Sequence, residues 1–242
     1  MAISKQSQTG TLYLLPALLG GENTTDVLPE YNHRVMYDLD HFIVEDLRTA
    51  RRFLRKAGYT KDFENVWLGE LNEHTLLEDI ETLIAPMLNG HDVGLLSEAG
   101  VPCLADPGAE VVKAAQHKGI KVVPMTGPSS IILALMASGF NGQHFLFHGY
   151  LPRKPKERED QLAQLERDAY QKHQTQIFIE TPYRNLQMIE SILKRCKPET
   201  MLCIGCDLTL PTESILTKSI SQWAKSPLPY HKKPAVFLIF HP

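Results

Sequence analysis

The sequence predicts an α/β fold, on two observations. Short apolar runs without a helical period alternate with amphipathic stretches through residues 11–138. Gly/Pro turns follow directly on two of those runs, at residues 97–102 and 127–130. Such alternation builds a parallel sheet covered by helices. In chain order, strands are expected at residues 11–15, 41–45, 66–71, 92–96 and 121–123, separated by helices at 28–36, 46–56, 75–88, 107–118 and 128–138. The run ending at Leu96 is broken by Ser97, Glu98, Ala99, Gly100, Val101 and Pro102. Asp106, Pro107 and Gly108 then offer a carboxylate cap and a proline suited to a first helical turn. Gly119 stops that helix, and Gly139 stops the nearly all-apolar helix that follows Gly127, Pro128, Ser129 and Ser130.

From Phe145 the pattern changes. A short strand, a polar helix over 156–173, a strand at 176–180, a helix at 182–195 and strands near 201–207, 213–217 and 236–240 suggest a second α/β domain. The expected division is 1–141 and 142–242, at Asn141, Gly142 and Gln143. In open parallel sheets ligands bind outside the carboxyl ends of the strands. The two Gly/Pro turns are therefore candidate site loops, where small residues admit close backbone approach and Ser97, Ser129 and Ser130 offer hydroxyls.

Composition narrows the function classes. A chain of 242 residues with 43% hydrophobic content buries a sizeable core as one or two domains. Its net charge of -3 gives no global pull toward nucleic acid, so any such contact rests on a local patch. Two candidates are the basic run Arg153, Lys154, Lys156 and Arg158, and the cluster Arg48, Arg51, Arg52, Arg55 and Lys56. Within the second, Arg51, Arg52 and Arg55 read as a solvated helix face. No segment approaches the ~20 apolar residues of a membrane span, and Pro16 interrupts the only stretch resembling a secretory leader, so a cytoplasmic protein is expected. The 4 cysteines form no disulfide framework, and Cys203 and Cys206 read as core thiols on a strand. The 10 histidines show no paired helical spacing, and no metal site is expected. A dinucleotide dehydrogenase is disfavoured because no G-x-G-x-x-G joins a strand to a helix.

The segment running from Ser97 to Pro102, with Asp106, Pro107 and Gly108, resembles the S-D-A-G-T-P-x-x-x-D-P-G signature of the tetrapyrrole (corrin/porphyrin) methylase superfamily. The particular likeness is to its ribosomal RNA small subunit (cytidine-2′-O)-methyltransferase-like branch. Six further segments agree in order. Leu12 to Pro16 resembles that branch's first strand, Glu45 to Arg48 its E-D-T-R, and Val123 to Pro128 its V-P-x-P-G-P. Phe147 to Pro152 resembles its F-x-G-F-L-P, Glu180 to Arg184 its E-S-x-H-R, and Asp207 to Thr209 with Glu213 its E-L-T-K-x-x-E. The departures are a first loop that reads Ala17, Leu18, Leu19, Gly20, Gly21, Glu22, and the loss of two basic positions, now Cys206 and Leu210. The G-E before the last strand stands here as Pro234 and Ala235.

The resemblance implies two α/β domains of the class III methyltransferase type with the cofactor cleft between them. The cofactor would be S-adenosyl-L-methionine, the partner an RNA, and the assembly a homodimer. On the cofactor side it points to Pro16, Ser97, Ala99, Gly100, Val101, Pro102, Ser129, Ser130, Thr181 and Pro182. A ribose hydroxyl is a poor nucleophile until its proton is taken, so a base is expected. Asp46, Glu180 and Glu213 are candidates for it, Arg48 and Arg184 join them as candidate catalytic residues, and Tyr150 and Arg184 are further candidates on the cofactor side that could instead pack or brace the domain junction. Each carboxylate has a plain structural alternative: Asp46 as a helix cap, Glu180 paired to Arg184, Glu213 on an exposed edge. Two other readings stand beside RNA ribose methylation. One is a methyltransferase of the same fold acting on a small molecule such as a tetrapyrrole, the other a non-catalytic cofactor-binding regulator.

Overall fold

The structure is a computed structural model describing residues 9–241 apart from 73 and 77. It divides into two compact units, 1–128 and 129–242.

The first unit is a five-stranded sheet in the order β3-β2-β4-β1-β5, with β1 Thr11–Leu15, β2 His41–Val44, β3 Trp67–Glu70, β4 Val93–Leu96 and β5 Lys121–Pro124. Every pairing is parallel. Helices α1 Glu30–Asp38, α2 Leu47–Lys56, α3 Asp79–Leu88 and α4 Ala109–His117 join the strands. Side chains alternate across a strand, so one face of the sheet carries Leu15, Phe42 and Val44 and the other Leu12, Ile43 and Leu95. Met36 of α1 and Leu54 of α2 pack with the first set. Ile84 of α3 and Val111 and Ala115 of α4 pack with the second.

The order explains this segregation. After β1 the chain steps away in one direction, to β2 and β3, and after β3 it returns past β4 to β5. Right-handed crossovers put the two journeys on opposite faces. Strands β1 and β4 are neighbours whose following connections leave in opposite directions, which makes their carboxyl ends the topological switch point.

The second unit begins with α5 Ser130–Ser138, ended by Gly139 in the left-handed conformation (φ 76). Its sheet runs β6-β7-β10-β8-β9, with β6 Phe145–Tyr150, β7 Thr175–Glu180, β8 Met201–Cys206, β9 Ser214–Ser219 and β10 Ala235–Phe240. Only β6 and β7 are parallel; β10 runs antiparallel to both β7 and β8. The helices α6 Pro155–Lys172 and α7 Asn185–Arg195 bury Leu162, Leu165, Met188 and Ile189 in one cluster with Phe178, Ile204 and Phe237. A single-turn helix α8, Ile220–Trp223, closes with a capping box between Ser219 and Gln222.

Several boundaries differ from those expected. The units part at Pro128/Ser129 rather than near Asn141, because α5 packs on β8, β9 and β10 and so belongs to the second core. Helix α3 starts at Asp79 rather than 75, with Leu77 outside the described residues. Helix α4 starts at Ala109, because Asp106 accepts from Cys103 and Gly108 (2.8 and 2.9 Å) and closes a turn before the helix. The helix expected at 182–195 opens as a 3-10 turn, Pro182–Arg184.

Candidate active site

In the first unit the switch point is built by two loops. Residues 16–19 leave β1, residues 97–102 leave β4, and the Ala17 amide donates to the Gly100 carbonyl at 2.8 Å. Ser97 is buried; its hydroxyl donates to the Ala99 carbonyl (3.1 Å) and lies 3.3 Å from the Ala99 amide, which tightens the turn. Gly100 has φ 74, and a Cβ there would stand 3.0 Å from Leu19 Cδ2 and 3.1 Å from the Pro128 carbonyl oxygen. A side chain there is strained by the positive φ and needs Leu19 or the Pro128 carbonyl to give by a few tenths of an ångström, so glycine is favoured. The turn after β5 closes the arrangement: Gly127 abuts the Pro16 ring, where a Cβ would fall 2.3 Å away, and Asn32 donates to the Thr126 carbonyl at 2.8 Å. Pro16, Ser97, Ala99, Gly100, Val101 and Pro102 are thus brought to one strand-end cradle. Cys103 and Ala105 carry left-handed backbones (φ 68 and 62), strain stored in the loop beyond it.

Asp46 sits beside the neighbouring strand end as the N-cap of α2. It accepts from the Thr49 amide (2.7 Å) and hydroxyl (2.6 Å), and these bonds hold its carboxyl below the usual 3.8. An exposed, low-pKa cap is a poor proton acceptor, so Asp46 serves the helix. Arg48 is exposed in the first turn of α2.

The second unit gathers its polar residues at one end of its sheet. Because β10 enters where β7 and β8 end, Ala235 pairs with both Glu180 and Cys206. The Glu180 side chain is 1% exposed. Its Oε1 accepts from the Thr181 amide at 2.6 Å, from Arg184 Nε at 3.0 Å and from Arg184 Nη2. Its Oε2 is buried without a hydrogen-bond partner. A carboxylate oxygen in that condition is costly unless something else supplies a donor. Thr181 and Pro182 form the start of the adjoining 3-10 turn.

Beside this pair, Asp207 accepts from Lys233 Nζ (2.8 Å) and the Thr212 hydroxyl (2.9 Å). The Asp207 bond raises the Lys233 ammonium above its ordinary 10.5. Asp207 and Thr209 hold left-handed backbones (φ 51 and 69), and Glu213 accepts from the Thr209 amide at 2.8 Å. Glu213 braces this loop. Thr209 Oγ1 is buried and unpartnered. Ser129 and Ser130 lie at the start of α5, and the Ser129 carbonyl accepts from Leu133. Tyr150 ends β6, past the register shift in that strand.

Sequence reasoning missed Lys233. It noted the loss of basic residues at Cys206 and Leu210, yet a lysine from the segment before β10 returns a cation to the Asp207 loop. Nothing in the local motif signals it, because the pairing spans 26 residues. Part of each expected basic patch is committed elsewhere. Arg158 is buried and donates to Ser191 and to the Arg153 carbonyl, while Lys154 pairs with Glu157. Arg55 donates to the Tyr59 and Lys61 carbonyls over the Phe63 ring, and Lys56 pairs with Glu22. Cys203 and Cys206 are core thiols as expected, each pushed up to about 11 by burial. Among the described residues, no group of three or more His, Cys, Asp or Glu is arranged to hold a metal ion.

A doubly wound parallel sheet joined to a second α/β unit, with small-residue loops at the switch point, defines a methyltransferase of the class III type. The chain belongs to the tetrapyrrole (corrin/porphyrin) methylase family, whose family model matches residues 31–224. It is 32% identical over 212 residues to the ribosomal RNA small subunit methyltransferase I of Escherichia coli O157:H7, covering 88% of this chain and 70% of that relative. It is 33% identical over 218 residues to the protein of that name from Streptococcus pyogenes serotype M3 (strain MGAS315), with 88% and 70% covered. Among solved structures it resembles cobalt precorrin-4 methyltransferase CbiF (TM-score 0.64, 14% identity, 99% of this chain and 98% of that one). It also resembles the methyltransferase CobJ (TM-score 0.62, 15% identity, 97% and 100%). These two likenesses are of fold.

Proposed function

We propose that this chain transfers a methyl group from S-adenosyl-L-methionine to a ribose 2′-hydroxyl of ribosomal RNA, as a cytoplasmic homodimer. The observation that carries the reading is the similarity, over 88% of the chain, to relatives named ribosomal RNA small subunit methyltransferase I. The residues fit the cofactor. The cradle of Ser97, Ala99, Gly100, Val101 and Pro102 against Pro16 is lined by small residues and backbone, and a Cβ at Gly100 would be strained and tightly packed. Ser129, Ser130, Thr181 and Pro182 are proposed as further contacts. When bound, the cofactor supplies an electrophilic methyl on a sulfonium, open to in-line displacement by an oxygen.

Glu180 is the proposed proton acceptor. Its buried, unpartnered Oε2 receives the ribose hydroxyl hydrogen, while Arg184 and the Thr181 amide fix the carboxylate through Oε1. Alignment of the acceptor and exclusion of water supply the rest of the acceleration. Arg48 is the proposed phosphate contact near the first unit's strand ends. For the dimer, α5 exposes Ile132 and Met136, at 41% and 74%, a pair that a second copy would cover.

The test is incubation of the purified protein with radiolabelled S-adenosylmethionine and small ribosomal subunits or their RNA, followed by alkaline hydrolysis. A 2′-O-methyl group removes the nucleophile that cleaves the next phosphodiester, so label is expected in alkali-resistant dinucleotides. Label in mononucleotides overturns the ribose assignment, and label only in an added tetrapyrrole overturns RNA as the substrate. Sedimentation at the same protein concentration is expected to give twice the 27.3 kDa chain mass.

A further inference from the structure

Tyr183 stands in the middle of the 3-10 turn three residues beyond Glu180, with 72% of its surface exposed. An aromatic ring of this size is left in water on a base that is anything but loose. Arg184 anchors the turn to Glu180, and the Arg184 amide donates to the Thr181 carbonyl at 2.9 Å. From the other side, the Lys232 amide donates to the Pro182 carbonyl at 3.0 Å. Asn185, fully buried, donates to the Tyr230 and Lys233 carbonyls at 3.0 and 2.7 Å, so residues 230–233 are clamped against the same turn. Lys232 adopts a left-handed backbone (φ 58), a conformation that non-glycine residues enter at a cost. The result is that its ammonium lies over the Tyr183 ring, 5.7 Å from the centroid. His231 is exposed beside it, and Lys233 is partly exposed while it holds Asp207.

An exposed ring on a hydrogen-bonded turn, with a cation over it and next to a second lysine, has the chemistry that recognises single-stranded nucleic acid. Unpaired bases stack on aromatic faces, and neighbouring ammonium groups hold the phosphates. Several cations of the expected basic patches are held by internal bonds, and here Lys233 is likewise bonded to Asp207, whereas Lys232 is exposed with its ammonium over the Tyr183 ring. We propose that Tyr183 and Lys232 form a stacking platform for an unpaired nucleotide of the RNA substrate, beside the Glu180 carboxylate. This inference rests on the RNA reading of the function. Tyr183 is a positioning residue that acts on binding, not on the transfer step.

The test compares wild type with Tyr183→Ala, Tyr183→Phe and Lys232→Ala, using one unpaired-loop RNA that wild type methylates, and reads the RNA KM, kcat, cofactor Kd by calorimetry and melting temperature. Loss of base–aromatic stacking predicts that Tyr183→Ala raises the RNA KM about 5- to 150-fold. Cofactor Kd and melting temperature are expected to stay at the wild-type values. Tyr183→Phe, which keeps the ring, restores the KM, and Lys232→Ala lowers the slope of log affinity on log salt by about 0.7. An unchanged RNA KM in Tyr183→Ala, while wild type remains active on RNA, overturns the platform alone. A KM change accompanied by lost cofactor binding or a lowered melting temperature also overturns it, in favour of a cofactor-side or structural role. Wild type that neither binds nor methylates any RNA overturns the RNA reading and the platform with it.

Discussion

Glu180 and Asp46 show how the same residue type takes different work from its surroundings. Asp46, exposed at a helix start, accepts from the Thr49 amide and hydroxyl through Oδ1, and these bonds lower its carboxyl. Glu180 is buried, uses one oxygen on Arg184 and keeps the other uncommitted. Glu180→Gln is expected to lower kcat by about 10²–10⁴-fold with cofactor affinity unchanged, as removal of a general base does. Single-turnover methyl transfer reads this directly. Arg184→Ala leaves a buried carboxylate unpaired and is expected to destabilise the fold by about 3 kcal/mol in urea unfolding. That is the low end for a buried pair, because 23% of the Arg184 side chain is exposed. The Asp46 carboxyl is lowered in the folded state, so its contribution is present above the unfolded value of 3.8 and is lost as pH falls through the folded one. Asp46→Asn should therefore lower stability at neutral pH and flatten the acid limb, a comparison that melting curves between pH 2 and 7 make.

Among elements, the loop after β4 carries the sharpest expectation. Gly100→Arg places a long side chain on a strained left-handed backbone, tight against Leu19 and the Pro128 carbonyl. Its strain, about 1–2 kcal/mol for a left-handed residue, leaves the fold standing. Calorimetric titration is expected to show S-adenosylmethionine binding abolished while circular dichroism is unchanged; retained binding would remove this loop from the site. This loop was legible in the sequence because its chemistry is local. A strand end, a glycine and a proline occur within a few residues, and the parallel sheet follows from alternation alone. The second unit was less legible. Its site is assembled from β7, the loop after β8 and the segment before β10, and the pairings that join them skip 26 residues from Asp207 to Lys233 and 48 from Asn185 to Lys233. Helix α5 misled for the same reason: its own apolar run does not say which sheet it will cover, and it covers the one that follows it.

At the scale of the whole molecule, a net charge of -3 sets the terms on which a polyanion can be held. Attraction cannot come from the summed field, so it depends on a few local cations, and binding should show a shallow dependence on salt. Two to three phosphate contacts predict a slope of log affinity on log salt of about -1.4 to -2.1 for single-stranded RNA, from about -0.7 per contact. Filter binding across a salt series measures it, and a slope several times steeper would mean that Arg48, Lys232 and Lys233 are a minor part of the interface. Each unit carries its own apolar core, the first split between two sheet faces and the second centred on Phe178, Ile204 and Phe237. The candidate site loops are thus mounted on separately packed scaffolds. Among the described residues, no helix is long and apolar enough to cross a membrane.

The thiols, three buried and one part-buried, have a practical corollary for anyone wishing to watch this protein at work. Burial pushes Cys103, Cys203 and Cys206 to about 11 and Cys196 to about 12, and alkylating reagents attack only the thiolate. At neutral pH the buried Cys196, Cys203 and Cys206 are expected to react slowly with maleimides, and the part-buried Cys103 is the one natural thiol to replace. A single cysteine introduced on the exposed surface would then accept a fluorophore selectively, without first stripping the other natural ones from the core.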